Sequence, residues 1–140
     1  MIDPGNVPPV EESELLARVI LNSGEFRKGN NTIKPQAFIP YRHVELSVNR
    51  HRDCSNEEMW TLCRQVASAR DKQLYGLTNI LAENCRQIEL DVVKAPIAGN
   101  PNHANVVGYP EAKEDQILLG QKLAANASLL QTPPEDSDSI

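Results

Sequence analysis

From His43 to Asn49 the chain alternates polar and apolar residues without a break: His-Val-Glu-Leu-Ser-Val-Asn. Successive side chains of a strand point to opposite faces, so this run reads as a half-buried β-strand. Val44, Leu46 and Val48 then face a core. His43, Glu45, Ser47 and Asn49 form an outward row, joined by His51 if the strand continues. A sheet with one wet face is more often antiparallel than parallel, and this narrows the architectures open to the chain.

The flanking segments fill in a fold. Ser55 followed by Glu58 is a capping box, and Met59, Leu62, Cys63 and Val66 line one face of the helix it opens, from Asn56 to about Arg70. Glu11 to Leu21 carries Leu15, Leu16, Val19 and Ile20 at helical spacing, although its last part, Arg18 to Leu21, also fits a strand. Residues 25–36 read as a polar loop. Ala37-Phe38-Ile39, closed by Pro40, reads as an edge strand. Leu74 to Ile88 admits two readings: one helix, or a strand over Tyr75–Asn79 leading into a helix from Ala82. Ile88–Val92 and His103–Val107 read as strands. Pro110 suits the first turn of a last helix, Glu111 to Leu130, with Leu119, Leu123, Ala127 and Leu130 buried. Strands and helices are mixed rather than strictly alternating. The expected fold is α+β, a small mixed or mostly antiparallel sheet with two to three packed helices. The expected organisation is a flexible arm (1–10), one domain (11–130) and a disordered acidic tail (131–140).

At 140 residues the chain can bury roughly two thirds of its unfolded surface without disulfides or metals. Aromatic residues are only 4 %, so the core is built from Leu, Ile, Val and Ala. Net charge is −5, which argues against a protein whose main work is non-specific nucleic-acid binding. The charge is uneven: −4 over residues 1–26, +4 over 27–72 and −5 over 73–140. The basic middle is read either as an anion-binding surface or as internal neutralisation. Three cysteines in no repeated spacing are not a disulfide framework. The start of the chain has neither the basic nor the apolar region of a signal peptide, and no apolar stretch approaches the length of a membrane span. The expected location is cytoplasmic.

The outward row brings imidazole, carboxylate, hydroxyl and amide to one face. That set suits acid–base or nucleophilic chemistry, with His43, Ser47 and His103 as catalytic candidates if the chain is an enzyme. Alternation alone also predicts such a row on any wet sheet face. Arg42, Arg50 and Arg52 are the candidate anion binders, since forked guanidinium donors match phosphate and carboxylate. Cys54, beside Arg52 and just before a helix N-terminus, is the thiol whose pKa such surroundings would lower; Cys63 and Cys85 read as core. His and Cys spacing gives no metal motif, and no Gly-rich phosphate loop or nucleophile elbow is present, so no metal or cofactor is expected.

The segment Asn100-Pro101-Asn102-His103-Ala104-Asn105-Val106-Val107-Gly108, with Leu46-Ser47-Val48-Asn49-Arg50, resembles small uncharacterised bacterial proteins that share a Pro-x-His-Ala-x-apolar-apolar-Gly segment near their end. The resemblance spans about residues 36–127. It implies a bacterial source and one compact domain, carries no activity, and singles out His103 and Arg50.

Small size, acidity and flexible ends favour a non-enzymatic accessory or regulatory subunit that binds a protein partner in a larger bacterial assembly. The first alternative is a small enzyme acting on a phosphate-bearing or nucleotide-like substrate through the polar strand face. The second is nucleic-acid binding through residues 27–72.

Overall fold

The computed structural model describes residues 1–135. Among them the chain forms five strands: β1 (Leu15–Ile20), β2 (Leu46–Arg50), β3 (Gly76–Leu81), β4 (Asp91–Lys94) and β5 (His103–Val107). They make one sheet, every neighbouring pair antiparallel, in the order β3-β1-β2-β5-β4. Three helices accompany it: α1 (Asn56–Ala69), α2 (Ala82–Arg86) and α3 (Lys113–Asn126). The fold is a small α+β fold with an antiparallel sheet, as the strand alternation implies.

Register decides which residues share a face. Leu16 lies opposite Arg50 and Ile80, Val48 opposite Ala104, and Val106 opposite Leu46 and Val92. This face carries the larger core, with Phe38 from the 3-10 turn Pro35–Phe38, Cys85 from α2 and Leu123 from α3. Gly120 is what lets α3 lie so close to that turn: a Cβ there would stand 2.7 Å from Ile39 Cγ1 and 2.9 Å from the Pro35 carbonyl oxygen. On the opposite face Ala17, Val19 and Leu77 pack beneath Met59 and Cys63 of α1. The capping box that starts α1 is present, with Ser55 Oγ accepting from the Glu58 N–H at 3.1 Å. Helix α1 packs over the β3–β1 side of this face, and beside it, toward β2 and β5, the face is only partly covered.

Several expectations are corrected. Leu15–Ile20 is a strand, not a helix, because β1 lies inside the sheet and buries side chains on both faces. Ala37–Ile39 is not an edge strand; Ala37 and Phe38 belong to a 3-10 turn. Strand β2 begins at Leu46, so Val44 is exposed rather than in the core. Of the two readings of 74–88, strand then helix holds. Strand β4 starts at Asp91, and Pro110 precedes α3 instead of lying in its first turn.

The expected arm is docked. Ile2 is buried and its N–H donates to Asn102 Oδ1 at 2.9 Å. Arg50 Nη1 and Nη2 donate to the Pro8 and Pro9 carbonyls. Of the expected tail, Gln131 exchanges two backbone hydrogen bonds with Leu77, closing on β3. Residues 136–140 of that tail lie outside the described residues.

Candidate functional site

The partly covered side of the sheet is roofed on one flank by α1 and on the other by the turn at 97–100. Between them lies a cleft of about 360 Å³. Its floor carries Ser47, Asn49 and His103, its walls Val19, Leu62, Val66 and Ile97, and Arg18 and Arg70 line one end. The alternation around Leu46 and Val48 supplies this floor: Leu46 and Val48 are buried on the core face, which turns Ser47 and Asn49 outward.

Arg18 is the residue that sequence reasoning missed. Strands β1 and β2 pair only at Leu16–Arg50 and Ala17–Asn49, then separate. The Arg18 side chain fills the gap. Its Nε donates to the Ala37 carbonyl and its Nη1 to the Ser47 carbonyl, both at 2.9 Å, so a side chain takes up the carbonyl that a ladder bond would have used. A guanidinium has five N–H donors, and these bonds occupy two. No carboxylate lies within 4.0 Å of it among the described residues. Burial lowers its pKa from the usual arginine value; the Glu25 charge opposes that and the Arg70 charge adds to it. Glu25 Oε1 meanwhile accepts the backbone N–H groups of Leu21 and Asn22. The available signal was a lone charge inside the apolar run Leu15–Leu21, where a buried Arg is unusual. Arg70 lies just past α1 and is exposed, with nothing in its local sequence to mark it.

The candidates read from sequence scatter. Ser47 and His103 line the cleft. His43 does not; it is exposed on the loop before β2 and lines a more open depression that meets the cleft at Arg18, Asn22, Glu25, Ser47 and Arg70. No hydrogen bond joins Ser47 to His103 among the described residues, and His43 is set apart from both.

Arg50 is unavailable to a ligand. Its side chain is fully buried, with Nε and Nη2 each 2.7 Å from a different oxygen of Glu14. Arg52 lies 3.6 Å from Glu14 and 3.9 Å from Glu11, and Arg42 is exposed and lines neither hollow. The three arginines therefore do not make one anion site. Cys54 is not activated: burial and the Glu58 charge push its thiol up, not down. Cys63 and Cys85 are buried, each pushed up to about 12 by burial, which fits inert core thiols.

Among the described residues no group of three or more His, Cys, Asp or Glu could hold a metal ion, and no helix is long and apolar enough to cross a membrane. No family model, no curated protein and no solved structure matches the chain.

Proposed function

We propose that the chain is a small ligand-binding domain that holds a compact organic anion, phosphate- or carboxylate-bearing, in the cleft between α1 and the turn at 97–100. The observation that carries this reading is Arg18, a half-buried guanidinium lining the cleft, with donors left over from its bonds to Ala37 and Ser47 and no carboxylate within 4.0 Å among the described residues. Arg70 at the same end adds positive charge, and Glu25, which also lines the cleft, offsets part of it. Forked donors in a partly dry site favour a bidentate oxyanion. A cleft of about 360 Å³ lies at the small end of ligand sites and suits one small molecule rather than a polymer. The reading shares its ligand chemistry with the enzyme alternative, but assigns binding rather than turnover because Ser47 and His103 are not paired.

Isothermal titration of the full chain with inorganic phosphate and ribose 5-phosphate tests it. Arg70 is exposed, so Arg70→Gln leaves the fold in place. Saturable one-site binding that weakens about tenfold in Arg70→Gln, the scale of one charge-assisted contact, is the expected result. Absence of binding at millimolar ligand refutes the reading.

In the accessory-subunit reading, a chain that binds a protein partner in a larger bacterial assembly, Leu118 and Leu129, each more than half exposed, are apolar side chains a partner would cover. A cytoplasmic location is supported by the free cysteines Cys54, Cys63 and Cys85.

A further inference from the structure

Two side chains on the cleft floor have their hydrogen-bonding sense fixed by the backbone. The N–H of Asn102 can only donate, and it donates to Asn100 at 3.1 Å, so the Asn100 atom it meets is Oδ1. The other end of Asn100 is then its amide nitrogen, which donates to Asn49 at 2.8 Å. Asn49 receives that bond on Oδ1, which leaves its NH2 as a donor. Asn49 is 2 % exposed as a whole, but its NH2 keeps contact with solvent and has no partner among the described residues. At His103 the logic runs the other way. The Ala95 carbonyl can only accept, so its 2.8 Å contact with Nδ1 puts the ring proton there, and in the neutral ring Nε2 is left as an acceptor.

Asn49 and His103 are direct cross-strand partners and both line the cleft. Side chains in that relation stand about 4.5–5.5 Å apart at Cβ. The floor thus presents a donor beside an acceptor, under apolar walls from Val19, Leu62, Val66 and Ile97. The matching ligand edge is an acceptor beside a donor on a flat ring. The amide or amidine edge of every common nucleobase has that form.

We infer that the ligand is a nucleoside phosphate, its base edge paired with Asn49 and His103 and its phosphate held by Arg18 and Arg70. This rests on the anion-binding reading above and names the rest of the molecule. The observation that adds the base is the Asn49 NH2, a donor with no partner among the described residues, set beside the His103 acceptor on the lining of the cleft. The cleft volume admits one nucleotide.

The test is titration calorimetry of the full chain with AMP, GMP, CMP, UMP, ribose 5-phosphate and a ten-nucleotide single-stranded RNA, repeated on Asn49→Leu and His103→Phe, with thermal unfolding to verify that each variant folds. The expected result is at least one mononucleotide binding tenfold or more tightly than ribose 5-phosphate, with that advantage lost in whichever of the two variants folds and ribose 5-phosphate binding unchanged. Equal binding of mononucleotides and ribose 5-phosphate overturns the base assignment and leaves the anion site standing. RNA binding more tightly than every mononucleotide also overturns it. If none of the probes binds, the anion-binding reading falls as well.

Discussion

Replacing Glu14 by Ala should be among the most damaging single changes in the molecule. The Arg50 side chain is fully buried and that of Glu14 is 7 % exposed. The carboxylate meets the guanidinium at two points, each 2.7 Å, while the Pro8 and Pro9 carbonyls take further donors at 2.8 and 3.2 Å. Glu14 Oε2 also accepts the Glu11 N–H at 2.8 Å. In Glu14→Ala the two carbonyls remain but no counter-charge does, and Arg52 adds like-charge repulsion. Removing one partner of a buried pair costs about 3–5 kcal/mol, against a total stability on the order of 5–15 kcal/mol. The midpoint of thermal unfolding should fall by roughly 6–20 °C. Urea unfolding followed through Trp60, the sole tryptophan, measures the loss directly. The double variant Glu14→Leu with Arg50→Met should recover much of it, because it buries no unpaired charge. A Glu14→Ala protein within about 1 kcal/mol of the parent would refute the reasoning and reduce the pair to a hydrated contact.

The same carboxylate predicts a pH dependence. Burial raises the Glu14 pKa, but the Arg50 hydrogen bond, the Glu11 N–H and the charges of Arg50 and Arg52 outweigh it, so the net shift is downward from 4.5. A folded pKa below the unfolded one means that the contribution is complete above the unfolded value and is lost as pH falls through the folded one. Stability measured by urea midpoints should therefore decline below about pH 4.5 in the parent, and less steeply in Glu14→Ala. Gly120→Ala should destabilise by about 1 kcal/mol or more, although Ala is the better helix former by about that much, because the new Cβ meets the Pro35 carbonyl and Ile39. A thermal midpoint equal to or above the parent's would contradict the close packing of α3 on the turn.

The local signals that could be read from sequence were those that depend on neighbours along the chain. Alternation around Leu46 and Val48 and the Ser55–Glu58 cap both appear where expected. The extent of β2 was misjudged because a strand needs a partner. β5 ends at Val107, where Gly108 turns away at φ +98°, so His43 and Val44 have nothing to pair with. Leu15–Ile20 misled because a strand in a sheet interior buries both faces, and a short apolar run of that kind matches helical spacing as well. The Gly76, Thr78 and Asn79 residues that weakened a helix reading of 74–88 belong to a strand with Gly76 pressed against Gln131, a contact that no local pattern encodes.

The site was legible only in part, for the same reason. Ser47 and Asn49 follow from alternation, but pairing Asn49 with His103 requires the register between β2 and β5. Arg50 looked like a surface donor because sequence cannot reveal that Glu14, distant along the chain, neutralises it. Arg18 was not singled out by its local sequence, because its place at the cleft depends on β1 and β2 parting after Ala17.

The central claim is that the cleft between α1 and the 97–100 turn holds a phosphate-bearing ligand. The most direct measurement is a nitrogen–proton NMR titration of the full chain with AMP, following side-chain signals. The account predicts that the Asn49 NH2 and the Arg18 Nε–H shift together and saturate at one equivalent. Shifts confined to α3, or no shift at either group at millimolar AMP, would contradict it.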